Sequence, residues 1–335
     1  MKKILSVLLV LILVFSFAAC GKAVDESSTS ESTAPVEYKE ANVYVLSGPT
    51  GIGAANLKDK ADKGETVGKY NVTVVAQPDE VVAKISKGEA DFAAIATNLA
   101  AKLYNKTNGG ITVLAVNTLG VLNVVTPEGV EIKSLADLKG KKVYTTGQGS
   151  NPEYIINHLL EKNSIDKTKD ITLEYKAEGT ELLTVWATDP NAVIIAPQPV
   201  ATNLTIKFPN SKIAIDLTKE WEKVNTDSAL MMGCVVVRND FLKDNKATVD
   251  KFLEEYEASI KKANEDLDTT SALCETYGIV PKAAIAKKAI PYCNVCFIKG
   301  KEMKTKLSGY LNILFEADKT SVGGKLPAEG FYYAG

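Results

Sequence analysis

The sequence holds one arginine, Arg238, and one histidine, His158, in 335 residues. With so little of either, there is no histidine cluster for zinc or copper and almost no guanidinium fork for gripping carboxylates. A histidine-based hydrolytic triad could draw only on His158. Basic excess is also missing: Lys+Arg 39 against Asp+Glu 41 leaves a net charge of −2, so nothing favours a phosphate backbone and no nucleic-acid partner is expected. Phosphate-loop Gly-Lys-Ser/Thr is absent, and Gly48-x-x-Gly51-x-Gly53 departs from the dinucleotide-loop spacing. Cysteines number 5. Cys293-x-x-Cys296 is a lone pair, without the second pair that zinc needs or the strand-to-helix setting of a redox motif, and its oxidation state stays open. Cys234 and Cys274 read as buried thiols. No metal and no cofactor are expected.

What is present begins with the one long hydrophobic run. Lys2 and Lys3 precede an apolar stretch from Ile4 to Phe17, followed by Ala18, Ala19 and Cys20. That stretch is short for the ~30 Å of a bilayer core and has the layout of a secretory signal peptide; an uncleaved N-terminal anchor is the alternative. Phe17-Ala18-Ala19-Cys20-Gly21 resembles a bacterial lipobox, in which the cysteine is lipidated and becomes the first mature residue. Residues 1–19 are therefore expected to be removed, which takes the net charge to −4. Residues 20–40, rich in Ser, Thr and Glu without an apolar period, read as a flexible tether.

From Ala41 onward, 45% hydrophobic and 24% charged residues over the whole chain are ordinary globular values. Short β-branched runs alternate with helical patterns, the signature of parallel α/β organisation. The pattern repeats at offsets of 99 to 101 residues: Val43–Leu46 against Val143–Thr146, Val72–Val75 against Ile171–Glu174, Asp91–Ala96 against Asn191–Ala196, and Ile111–Ala115 against Ser211–Ile215. Ordered pairs sharing one shift point to two lobes, each β-α-β-α-β-α-β; one large doubly wound sheet is the alternative. Two glycine-led runs, Gly120–Thr126 and Met231–Arg238, bracket the second half and read as a two-strand hinge. The expected boundaries are 41–122 with 235–335 for one lobe and 123–234 for the other. The tail is expected to return as helices near Ala247–Glu265, Thr270–Tyr277, Lys282–Ile290 and Glu302–Phe315.

In open parallel sheets, ligands collect beyond the carboxyl ends of the strands. That edge nominates Gly48, Pro49, Thr50, Gly51, Thr97, Asn98, Asn117 and Thr118 in the first half. In the second it nominates Gly147, Gln148, Gly149, Ser150, Asn151, Pro197 and Gln198. Several begin helices, with proline at a first helical position in Asn151-Pro152 and Gln198-Pro199, so free backbone N–H groups could hold a polar or anionic solute without arginine. Trp186, Trp221, Tyr154 and Tyr332 could stack on a planar ligand, but such aromatics suit core and lobe packing at least as well.

The lipobox, the opening Ser47-Gly48-Pro49-Thr50, the stretch Ile85-Ser86-Lys87-Gly88-Glu89-Ala90-Asp91-Phe92-Ala93-Ala94, the passage Ser134-Leu135-Ala136-Asp137-Leu138-Lys139-Gly140-Lys141-Lys142-Val143 and the return Val235–Leu242 resemble an ABC-transporter substrate-binding protein. More narrowly, they resemble the branch serving nitrate, taurine, alkanesulfonates and thiamine-type pyrimidines. The resemblance implies a type II periplasmic-binding-protein fold of two sheets flanked by helices and joined by a two-strand hinge. It further implies a monomer with no catalytic residue, lipid-anchored through Cys20 at the extracytoplasmic face of the bacterial membrane. Such a protein traps a small solute and delivers it to a permease driven by an ATPase. Two alternatives stay open: an enzyme of thiamine-pyrimidine synthesis, which would need His158 and a lysine in the cleft, and a binding module for another transporter class or a sensor.

Overall fold

The computed structural model describes residues 37–335. The expected leader, the expected lipidation residue Cys20 and most of the expected tether lie outside the described residues.

The first half runs β1 (Ala41–Leu46), α1 (Pro49–Ile52), α2 (Ala55–Asp62), β2 (Tyr70–Val75), α3 (Pro78–Ser86), β3 (Phe92–Ala96), α4 (Thr97–Lys106) and β4 (Ile111–Thr118), followed by β5 (Leu122–Thr126). The second runs β6 (Lys142–Thr146), α5 (Asn151–Lys162), β7 (Thr172–Lys176), α6 (Gly179–Leu182), α7 (Val185–Thr188), β8 (Val193–Pro197), α8 (Val200–Lys207) and β9 (Lys212–Asp216). After α9 (Leu217–Val224) come β10 (Gly233–Arg238), α10 (Asn239–Asp244), α11 (Lys246–Glu265), α12 (Leu267–Thr276), α13 (Ala283–Ala289), β11 (Val295–Ile298) and α14 (Gly300–Ala317). The repeat is thus real at the level of elements.

Two sheets result. The first has six strands in the order β11-β4-β10-β3-β1-β2, the second five in the order β7-β6-β8-β5-β9. The chain is α/β with two helix-flanked sheets, the architecture expected from the type II resemblance. Repeat-related strands occupy matching places: β2, β1, β3 and β4 correspond to β7, β6, β8 and β9. The remaining place, between the third and fourth members, is filled in each sheet by an antiparallel strand. In the first sheet it is β10, between β3 and β4; in the second it is β5, between β8 and β9. The two glycine-led runs are therefore exchanged strands, each completing the sheet of the half it does not follow in sequence. The tail contains a strand that the sequence pattern hid, β11, antiparallel to β4 at the sheet edge.

β4 is buried along its whole length, as an inner strand covered on both faces should be. α3 starts with Pro78 at its first turn beside Asp79 and Glu80, and turns Val81 and Ile85 inward. α11 buries Val249, Phe252, Leu253, Tyr256, Ile260 and Ala263, a stripe at three- and four-residue spacing. Its Phe252 stacks on Phe92 of β3, centroids 4.0 Å apart, and meets Tyr70 of β2 edge-on at 5.6 Å. A second contact joins the two lobes. Trp221 of α9 and Tyr310 of α14 are both fully buried, T-shaped at 5.8 Å, within one apolar cluster that also holds Val116 of β4 and Ile155 of α5.

Phe252→Ala should cost about 3–5 kcal/mol, because α11 cannot collapse into the space between two strands. A urea melt showing less than about 1 kcal/mol would mean that this aromatic stack does not hold the helix to the first sheet.

Candidate functional site

The carboxyl ends of β1, β3 and β4 and the start of β10 share one edge of the first sheet; those of β6 and β8 and the start of β5 share one edge of the second. Between these edges lies a cleft of about 240 Å³ lined by Pro49, Thr50, Ala96, Asn98, Thr118, Val121, Ser150, Asn151, Pro152 and Met232. The sequence-nominated Pro49, Thr50, Asn98 and Thr118 from one lobe thus meet Ser150 and Asn151 from the other. Ala96, Val121, Pro152 and Met232 were not nominated; Val121 and Met232 come from the two chain crossings, whose proximity depends on the strand exchange.

The other nominated residues hold the walls. Gly48 (φ 84°) bonds Ile279 O through its N–H at 2.7 Å, a backbone conformation that suits glycine. Gly51 is buried so tightly that a Cβ would lie 2.3 Å from Leu46 O. The Thr97 hydroxyl donates to Met231 O and its N–H to Met232 O, fastening α4 to the second crossing. Asn117 donates to Thr50 O at 3.1 Å and to the Tyr256 hydroxyl at 2.8 Å, and accepts from the Thr118 hydroxyl at 3.1 Å. This buried asparagine therefore fixes the α1 loop rather than facing a ligand. Gly147 (φ 83°) packs under Pro152 and accepts the Ser150 hydroxyl at 2.7 Å. Gln148 is exposed, and Gly149 gives its N–H to Glu153 at 2.6 Å. Pro197 pairs with Leu122 in the second sheet. Gln198 is buried, with its Oε1 accepting from the Thr202 hydroxyl at 2.7 Å.

The crossings are tied at the cleft floor. Met232 N–H donates to Thr118 O at 3.0 Å, Gln198 N–H to Val121 O at 2.9 Å, and Asn294 Nδ2 to Gly120 O at 2.6 Å. Gly120 has no room for a side chain: a Cβ would sit 2.3 Å from Thr218 Oγ1.

A larger groove of about 670 Å³ lies between α5 and α14 and meets the turn at Gly149. There the Tyr154 hydroxyl donates to Asp318 Oδ2 at 2.7 Å, joining the two lobes at the surface. His158 lines this groove and not the cleft; its Nε2 is 3.0 Å from Asn225 Oδ1 and its ring 4.7 Å from Trp221. Burial is the main reason its pKa falls below the usual histidine value. Sequence reasoning missed the groove because α5 and α14 are remote in the chain. Trp186 and Trp221 are buried structural aromatics. Arg238 pairs with Asp91 at 2.9 Å, away from the cleft. Cys234, Cys274, Cys293 and Cys296 are free thiols, and burial pushes Cys274 and Cys296 up to about 12.

Comparison with known proteins adds a family. The model described as NMT1/THI5 like matches residues 70–269, more than half of the chain. The chain belongs to the NMT1/THI5-like family. No curated protein sequence matches it. Among solved structures, this NMT1/THI5-like chain is similar to an ABC transporter protein from Parabacteroides distasonis, with 25% identity, TM-score 0.73, and 88% of this chain and 98% of the other covered. It shares its fold with the periplasmic aliphatic sulphonate-binding protein SsuA of Escherichia coli, at 12% identity and TM-score 0.68, covering 89% and 92% of the two chains. It shares it also with the alkanesulfonate-binding protein SsuA of Xanthomonas axonopodis pv. citri, solved with MOPS, at 11% identity and TM-score 0.59, covering 89% and 98%.

A Cβ on Gly233, the first residue of β10, would lie 2.6 Å from Asn117 Oδ1 and 3.0 Å from both Thr118 Cβ and Thr50 Oγ1. Gly233→Ala should therefore destabilise the protein by about 1–3 kcal/mol by overpacking the cleft floor, read as a lowered urea midpoint. An unchanged midpoint would show that the floor yields freely.

Proposed function

We propose that this protein is the extracytoplasmic solute-binding component of an ABC importer, capturing a small polar or anionic organic solute of sulfonate, nitrate or pyrimidine type between its lobes. Residues 41–122 and 235–335 form one lobe and 123–234 the other. The signal peptide 1–19 exports the chain, acylated Cys20 anchors it, and residues 20–40 tether the body to the outer face of the membrane. The closed form then docks, as a monomer, on a permease driven by an ATPase.

The observation that carries this reading is the cleft itself. Short polar side chains and helix starts from both lobes converge on one cavity whose floor is the pair of chain crossings, so lobe rotation opens and closes it. The sulphonate-binding proteins of similar fold support the solute class. The enzymatic alternative loses support from the position of His158, which lies in the α5–α14 groove.

Two experiments test the proposal. In a thermal-shift panel of sulfonates, nitrate and pyrimidines, a true solute at about 100 times its Kd should add roughly 2.7 kcal/mol of stability, with a smaller radius of gyration in solution scattering. A panel that moves neither quantity would remove solute capture. Separately, Cys20→Ala expressed in a bacterial host should move the chain from the membrane fraction to the soluble fraction, and retention at the membrane would remove the lipid anchor.

A further inference from the structure

The first chain crossing is held by a residue that belongs to neither crossing. Asn294, in the loop before β11, takes a left-handed backbone (φ 48°), which asparagine accepts more readily than most side chains. Its carbonyl accepts the Leu119 N–H at 3.0 Å, and its Nδ2 donates to Gly120 O at 2.6 Å. Gly120 O can only accept, so the amide nitrogen is the atom that faces it. The same Nδ2 donates to the Thr218 hydroxyl at 3.3 Å, in the first turn of α9, the helix that follows the second sheet's last strand in the chain. Both hydrogens of one amide are therefore spent, one on the crossing and one on the opposite lobe. From behind, Asn264 of α11 fastens the loop by donating to Val295 O at 2.9 Å.

Little slack is left at this point. A Cβ on Gly120 would lie 2.3 Å from Thr218 Oγ1 and 2.8 Å from Leu230 Cδ1, so the first crossing meets both α9 and the second crossing here. The second crossing is tied differently: Thr97 of α4 binds Met231 O and Met232 O, both on the crossing itself. Asn294 instead grips a crossing and the opposite lobe with a single group. Rotation about Leu119–Val121 carries Thr218 with the second sheet and Asn294 with the first. The 3.3 Å bond must then break and re-form as the lobes turn, whereas the bond to Gly120 can persist.

We propose that Asn294 is a positioning residue for solute capture: its amide holds the first crossing and, through Thr218, sets how readily the lobes leave the arrangement described here. This rests on the solute-capture reading above, which calls for lobe rotation. Asn294 does not line the cleft, and it acts on the solute only through the balance between lobe arrangements.

The test is amide hydrogen exchange followed by NMR on the solute-free protein, which senses openings even when they are rare. Asn294→Gly suits the left-handed backbone and removes the amide; Thr218→Val removes the same bond from the other lobe. Each should speed exchange of the Thr97 and Met232 N–H groups at the second crossing about fivefold, the order of one neutral hydrogen bond, with Val236 in the middle of β10 unchanged. The double variant should exchange no faster than either single one, since one bond is shared, and Thr218→Ser, which keeps the hydroxyl, should stay with the wild type. Acceleration confined to Leu119 and Gly120 would reduce Asn294 to a local support and overturn the inference. So would an equal rise at Val236 in both single variants, additive effects in the double variant, or a valine variant that exchanges like the wild type. If Asn294→Gly folds poorly, Thr218→Val against Thr218→Ser decides alone. The measurement uses no solute, so a negative result here leaves solute capture standing.

Discussion

Neither half of this chain completes its own sheet. β5 follows the first repeat but lies between β8 and β9, and β10 follows the second repeat but lies between β3 and β4. Each antiparallel insertion satisfies backbone groups of the two strands that flank it, and the buried ones, on β3, β4 and β8, would otherwise sit unpaired in an apolar interior at a cost of about one to a few kcal/mol per group. The chain is therefore obliged to cross between the lobes twice. Both crossings emerge at the strand ends where a parallel sheet leaves helix starts and loops, so the cleft and its floor are consequences of sheet completion. The bonds at that floor, such as Met232 N–H to Thr118 O, are continuations of the ladders on either side.

Two unlike contacts also link the lobes, and their energies decide what can move. Trp221 and Tyr310 are fully buried, and Gly309 of α14 lies so close to the second crossing that a Cβ would be 2.5 Å from Asp227 O. Separating that seam would expose two large aromatics, at several kcal/mol by area alone. The Tyr154–Asp318 hydrogen bond lies at the surface, where water competes for the carboxylate and little is lost when it opens. A rotation that pivots on the α9–α14 seam and breaks the surface bond is much cheaper than one that parts the seam. The lobe rotation proposed above would therefore fall on torsions near Leu119–Val121 and Leu230–Met232.

The parts of this design that were legible in the sequence are those written in local pattern. β-branched runs at one repeated offset located the repeat-related strands, and loops after strands located Thr50, Asn98 and Ser150 on the cleft. What was illegible depends on contacts distant in sequence. The strings of β5 and β10 look alike, so nothing in them says which sheet each joins. β11 is four residues long and contains Cys296, so it overlaps a cysteine pair that carries no strand signal. Thr97, Asn117 and Gln198 have the chemistry of ligand contacts, yet Met231, Tyr256 and Thr202 claim their polar atoms. Only the tertiary structure says which polar groups at a strand end are still free.

The repeat also shows where the halves part company. Asn98 and Gln198 stand at equivalent positions after β3 and β8; Asn98 lines the cleft, whereas Gln198 turns inward and leaves its Nε2 without a partner. Gly51 and Asn151 are likewise equivalent: the first is a glycine pressed against Leu46 O, the second a buried amide with a spare oxygen. At these positions the buried polar atoms without partners belong to the second lobe, while Thr50 and Asn98 of the first keep their side chains on the cleft. Buried polar groups without partners are costly wherever they are kept, and among the described residues they occur in both lobes, Asn56 and Asn105 in the first, Asn123 and Asn151 in the second. Of these, Asn151 is the one that lines the cleft, so its oxygen is the one that a guest could complete.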